Sequence, residues 1–280
     1  MSLKRLVVTA DDFGAARQVN DAVEEAHTHG ILTATSLMVA APAAADAVAR
    51  AKKLPGLRVG LHVVLVEGRP MLPPASIPDL VNSDGDFRCD MARAGAAMFF
   101  RPKVRAQLAH EIEAQFDAFR ATGLRLDHVN THKHFHLHPT IAGLILKIGK
   151  SRGLRAMRVP LEPRGVLAAA EPGTAPAPAY VTGPWARLLR RRLRQAGLLT
   201  PDSVFGLSWS GAMTPTRLRG LIAHLPEGLS EIYLHPATAG GFEGSAPGYR
   251  YGEELAALMD AGVAEAARDP HIRLGGFVDF

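Results

Sequence analysis

The feature that most constrains the fold is an alternation. Short apolar runs rich in β-branched residues recur along the chain, and most are followed by a longer stretch with helical periodicity. The first run is KRLVVTA at residues 4–10; the others are TATSLMV (33–39), LRVGLHVV (57–64), LRLDHVNT (124–131), 155–159, 204–209, SEIYLH (230–235) and 272–278. Helical patterns occupy 16–29, 43–54, 102–122, 139–152, 184–197, 214–224 and 252–268. A βα order kept through a chain predicts a mainly parallel sheet covered by helices. About eight strands in 280 residues suit one (β/α) barrel of the TIM type, and their uneven spacing predicts a distorted or incomplete one. The reading is therefore a single α/β domain over residues 1–280. Segments 66–98 and 162–184, rich in Pro and Gly, read as long loops, which in such folds are usually lids, substrate walls or disordered excursions.

Composition removes several classes. An apolar fraction of 47% with 21% charged residues suits a chain that buries a substantial core. The single cysteine, Cys89, excludes an intramolecular disulfide framework and a cysteine-rich zinc module. It reads as a buried small hydrophobe or a spectator thiol, and the expected compartment is a reducing cytoplasm. The amino terminus reads as a first strand, not a signal peptide. No run approaches the roughly 18 apolar residues of a membrane span.

Net charge is +5, and much of the excess lies in WARLLRRRLRQAG, residues 185–197. Trp185, Leu188, Leu189 and Leu193 recur at helical spacing, with arginines on the remaining positions. The segment reads as a surface helix with a solvated face, with peripheral contact to anionic lipid at the inner face of the membrane as the alternative. No nucleic-acid signature accompanies the charge, so nucleic acid is not an expected partner. Self-association is left open.

Parallel α/β folds place their sites at the carboxyl ends of the strands. There this sequence carries Asp11 and Asp12, then His62, then His128 through His138, and finally His235. A mononuclear hydrolytic metal needs about three protein ligands and an open position, which two histidines and one carboxylate supply. In an extended segment His128, His132, His134, His136 and His138 would share one face. Same-face neighbours stand roughly 6.5 to 7 Å apart, so at most one or two of them bind one ion.

Four ordered stretches, VTADDFG, VGLHVVL, DHVNTHKHFHLHP and YLHPA, together resemble the YdjC-like family of carbohydrate deacetylases, from residue 5 to the end. Within it, LTATSLMVAAPAAADAVARAKKLPGLRVGLH, FRATGLRLDHVNTHKHFHLHP and GYRYGEELAAL are most similar to the hopanoid-biosynthesis-associated deacetylases. The resemblance implies a (β/α)-barrel variant and one divalent ion, Mg first, held by Asp12, His62 and His132. The donor set itself also suits Zn or another transition metal. The resemblance further implies Asp11 as general base and His235 as general acid. Arg158, in MRVP, resembles an Arg-x-Pro element in which the arginine orients the base. His134, His136 and Arg158 are candidate substrate-side groups, and Lys133 replaces a histidine of some relatives. The implied reaction is metal-dependent hydrolysis of the N-acetyl group of an N-acetylglucosaminyl hopanoid, releasing acetate. The alternatives are a deacetylase of soluble chitooligosaccharides and, outside enzymes, a histidine-rich metal-binding protein.

Overall fold

A computed structural model of the chain describes residues 3–175 and 183–280; the part of the 162–184 segment at 176–182 lies outside them. Every strand pairing within the sheet is parallel. β1 (Lys4–Phe13), β2 (Ala34–Leu37), β3 (Arg58–Val63), β4 (Leu126–Thr131), β5 (Ser203–Phe205) and β6 (Gly228–Leu234) lie in the order β4-β3-β2-β1-β6-β5. β7 (Ile272–Leu274) pairs the first residues of β1. Sheets of this kind are covered on both faces, which is why Leu6 through Asp11 are all buried and read as an almost continuous apolar run.

The sheet curls past β4. A parallel bridge joins Val129 to Met157, another joins Ala156 to Leu199, and Val204 N–H donates to Leu161 at 2.8 Å, leading back to β5. The expected distorted, incomplete barrel is the fold found. The reason for its incompleteness is local: 155–159 and 204–209 supply only a few ladder residues each, broken by Pro160 and Gly206.

The helices pack outside. α1 (Arg17–His29), α2 (Ala44–Ala51), α4 (Pro102–Ala121), α5 (Pro139–Lys150), α7 (Gly183–Gln195) and α8 (Pro215–Ala223) fall on the predicted patterns. Pro at the first turn of α4, α5 and α8 supplies a pre-set φ and lacks an N–H the helix could not satisfy. Two helices form where loops were expected: α3 (Met91–Phe100) begins at Asp90, whose carboxylate accepts Arg93 N–H, and runs two residues past the first segment, and α6 is Arg164–Ala170. The single pattern at 252–268 is two helices, α9 (Tyr251–Met259) and α10 (Ala261–Ala267). Asp260 adopts ψ 130° between them and caps the second through Val263 N–H.

In α7 the apolar stripe is spent on packing: Ala186, Leu189 and Leu193 are buried, and Trp185 donates to the Leu137 carbonyl. Leu188 alone of its leucines is exposed, beside Arg187, Arg191 and Arg192. No helix among the described residues is long and apolar enough to cross a membrane.

Candidate metal and catalytic site

β1, β3, β4 and β6 deliver their chemistry to one rim. Asp11 and Asp12 end β1, His62 ends β3, His132 follows β4 and His235 follows β6. All five line a cavity of about 700 Å³. Adjacent aspartates on a regular strand would point to opposite sides, and a break in the strand resolves this. The register of β1 against β2 shifts between Ala10 and Phe13, and Asp12 takes φ 65°, so both carboxylates reach the same rim. A left-handed φ at a residue with a Cβ costs energy, and it falls here on a proposed ligand.

Asp12 Oδ1 stands 3.2 Å from His62 Nε2 and 3.3 Å from His132 Nδ1, and the two nitrogens are 3.4 Å apart. These three side chains form the one described group whose ligand atoms all lie within 4.8 Å of one another. The hydrogen bonds around them decide which atoms face inward. Asn130 Nδ2 donates to Asp11 Oδ1 at 2.9 Å, so its Oδ1 is the atom 2.7 Å from His62 Nδ1. His62 must therefore be protonated at Nδ1 and present the Nε2 lone pair to Asp12 and His132. A carboxylate oxygen and two imidazole nitrogens thus converge within ligand range, which is the donor set and spacing a divalent cation requires. Burial disfavours charge on both Asp12 and His132, yet their mutual attraction wins: the Asp12 carboxyl is held well below its ordinary range and the His132 imidazole is raised.

Asp11 is gripped from four directions. Ser36 Oγ donates at 2.8 Å and Asn130 Nδ2 at 2.9 Å to Oδ1; Arg158 Nη2 reaches the same oxygen at 3.0 Å, and Nη1 reaches Oδ2 at 2.5 Å. Burial is the largest influence and would raise this carboxyl, but the charge and hydrogen bonds of Arg158, with the nearby His62 and His235, together outweigh it and keep Asp11 ionised. Among the described residues Oδ2 has a single partner, Arg158 Nη1, and so keeps room to accept another proton donor. Arg158 is itself fully buried, with Nε and Nη2 on Glu231 at 3.0 and 2.8 Å and its guanidinium over the Tyr233 ring at 4.4 Å. Against the sequence expectation of a substrate-side group, its side chain is committed to Asp11, Glu231 and Tyr233.

The histidine run does not stay extended. β4 stops at Thr131, and Lys133 and His134 take φ 52° and 53°, so the shared parity of the run is lost and its members separate. His128 is buried beneath the site on Asp127 at 2.8 Å and against Phe277. Gly60 is required beside it, because a Cβ there would stand 2.6 Å from that ring. His134 Nε2 meets Tyr233 OH at 2.9 Å and lines the cavity. His136 is fully buried, bonded through Nδ1 to Thr131 Oγ1 at 2.7 Å, and is not among the cavity-lining residues. His138 occupies the N-cap position of α5 without a side-chain capping hydrogen bond, and packs on Phe99. Lys133 pairs with Glu67 at the rim.

His235 sits between Tyr233 and Tyr249, with ring centroids 5.7 and 5.1 Å away. Its backbone N–H donates to Glu254 Oε2 at 2.5 Å, and the same carboxylate takes Met213 N–H. Cys89 is exposed at the cavity rim, not buried. Asn130, Ser36, Glu231, Tyr233 and Glu254 went unassigned from sequence. A signal existed for Glu231, an acid inside the apolar strand SEIYLH, where only a paired charge is tolerated.

A sequence profile of the family described as YdjC-like protein matches residues 5–269. The chain belongs to the YdjC-like family. A relative from Geobacillus stearothermophilus named carbohydrate deacetylase is 30% identical over 278 residues, covering 98% of this chain and 97% of that one. Relatives of the same name from Brevibacillus brevis and Vibrio vulnificus strain CMCP6 are each 37% identical, over 52% and 58% of this chain. Those matches span only 56% and 60% of the relatives' own lengths. The YdjC-like fold is shared by a crystal structure from Enterococcus faecalis V583, with TM-score 0.78, 24% identity and 99% of both chains covered.

Proposed function

We propose that this YdjC-like chain is a metal-dependent carbohydrate N-deacetylase, with Asp12, His62 and His132 as the metal ligands. The observation that carries the reading is the inward-facing Asp12–His62–His132 donor set beside an Asp11 carboxylate clamped ionised by Arg158. The name shared by the relatives supports the substrate class. A bound divalent ion, Mg first and Zn or another transition metal next, would supply Lewis acidity toward the acetyl carbonyl and the attacking water.

The chain's own groups divide the remaining work. Asp11 accepts the proton of the nucleophile at Oδ2, the oxygen with spare capacity. Arg158 holds that carboxylate in place, and Glu231 and Tyr233 hold Arg158. His235, wedged between two tyrosines, delivers a proton to the departing amine. His134 and the cavity wall position the sugar, while His136 supports the turn through Thr131 and touches no substrate.

The finer reading is an N-acetylglucosaminyl hopanoid as substrate. It rests on the likeness of three long stretches to hopanoid-associated deacetylases, and it agrees with apolar cavity-lining groups such as Ala40, Ala41, Pro42, Phe87 and Phe242. With the apolar stripe of α7 packed inward, membrane contact by this chain would be electrostatic, through Arg187, Arg191 and Arg192. One domain, 1–280, would carry the whole activity in the cytoplasm. The test is incubation with an N-acetylglucosaminyl hopanoid and, separately, with N,N′-diacetylchitobiose, each with and without chelator, followed by acetate and product-mass measurement. Deacetylation of N,N′-diacetylchitobiose alone would select the soluble substrate, and chelator-insensitive turnover would overturn the metal requirement.

A further inference from the structure

The end of the sheet away from the Asp12 site carries a second cleft, of about 340 Å³. Its floor is apolar, from Phe116, Phe119, Leu124 and Leu126. Four arginines line it: Arg120, Arg125, Arg152 and Arg155. Arg152 is committed to Asp117 at 3.0 Å, and Arg120 reaches the same carboxylate at 3.5 Å. Arg125 and Arg155 are exposed, and among the described residues neither guanidinium has a carboxylate partner.

A short recurrence in the sequence explains how they arrive there. Gly56-Leu57-Arg58, Gly123-Leu124-Arg125 and Gly153-Leu154-Arg155 stand at the foot of β3, of β4 and of the 156–157 segment bridged to β4. Gly123 and Gly153 take φ 75° and 86°, ending the turn after α4 and α5 in the left-handed region that glycine adopts without steric cost. Val59 is registered with Leu126, so Arg58, which opens β3, and Arg125, just before β4, stand at matching positions. In the first copy the guanidinium is answered: Arg58 makes a two-pronged pair with Asp279, both contacts at 2.9 Å. In the other two copies no acid among the described residues takes that place, and the cleft lies there instead.

Two free guanidinium forks beside an apolar floor match an anion that has both paired oxygens and an apolar body. We propose that this cleft is a binding site for a phosphate ester carrying an apolar group, distinct from the Asp12 site. β4 separates the two: Leu126 lines the cleft and Thr131 lines the catalytic cavity. Five residue steps at about 3.3 Å place them about 17 Å apart.

Titration calorimetry on the full chain at low ionic strength, with phenyl phosphate and with inorganic phosphate as probes, tests this. One equivalent of phenyl phosphate is expected to bind, about tenfold more tightly than inorganic phosphate because its ring covers the floor. The double variant Arg125→Ser/Arg155→Ser, with unchanged circular dichroism, is expected to bind phenyl phosphate at least about tenfold more weakly. Asp12→Ala is expected to leave the affinity unchanged. Equal affinity in the double variant, loss of binding in Asp12→Ala, several equivalents with no preference for the phenyl ester, or no heat at millimolar probe would each overturn the site.

Discussion

The side-chain oxygen of Asn130 lies 2.7 Å from His62 Nδ1 and thereby selects which nitrogen of His62 faces Asp12. The amide can do this because its other end is occupied by Asp11. Replacing Asn130 with Leu removes the shorter of the two contacts on Nδ1 and leaves only Ser36 Oγ, at 3.0 Å, to hold the imidazole. Loss of such an outer partner typically costs about 10- to 100-fold in metal affinity. Zinc titration monitored by calorimetry should show that loss with the stoichiometry still at one, and an unchanged affinity would contradict the orientation argued for His62.

The proposed ligands and the proposed base are separable by mutation. Asp12→Ala and His132→Ala should abolish stoichiometric metal binding and turnover together, whereas Asp11→Asn should bind metal normally and lose about 100-fold or more in kcat. Metal content by elemental analysis, paired with acetate release, distinguishes the two outcomes. An Asp11→Asn protein with full turnover would remove Asp11 from the chemistry. Several weak sites in place of one tight one would favour a metal-storage protein.

Arg158 is a buried cation shared between two buried carboxylates. Glu231→Ala leaves half of its hydrogen bonds unanswered, and breaking a buried pair from one side costs about 3–5 kcal/mol. Chemical denaturation should register that loss. Glu231→Gln, which keeps the shape and one acceptor, should recover part of it. A Glu231→Ala chain as stable as the parent would show that Arg158 draws its support from Asp11 alone.

His136 makes stability depend on pH. Burial first, and then the nearby Arg158 cation, hold its imidazole down to about 3, against 6.5 for an ordinary histidine. Below 6.5 the unfolded chain binds a proton here that the folded chain refuses, so stability falls as pH drops from 6.5 toward 3 and is unaffected above 6.5. At about 1.4 kcal/mol per unit of pH, this one group should cost about 2 kcal/mol at pH 5. His136→Asn should flatten the acid side of a stability-versus-pH curve measured by urea denaturation. Parallel curves for the two proteins would show that His136 is not the proton acceptor.

Much of this was legible in the chain. The alternation of buried strands and amphipathic helices determines a parallel α/β architecture, because both periodicities are written in residue order. The ends of the strands then name Asp11, Asp12, His62, His132 and His235 as residues that can share a rim. What residue order leaves open are relationships formed across the fold. The turn at Lys133 and His134 divides the histidine run, with His132 on the rim, His136 buried behind it and His128 beneath. Arg158 reads from sequence as a substrate-side arginine or one that orients the base; only the meeting of β1, β6 and the 155–159 segment shows that it is fully committed to Asp11 and Glu231. Asn130 is one unremarked letter within DHVNTH, and its importance comes from lying between residues 119 positions before it and 68 positions before it. Local periodicity reflects interactions between near neighbours, whereas tautomer choice, charge pairing and ligand convergence arise between residues distant in sequence, and only the folded chain decides them.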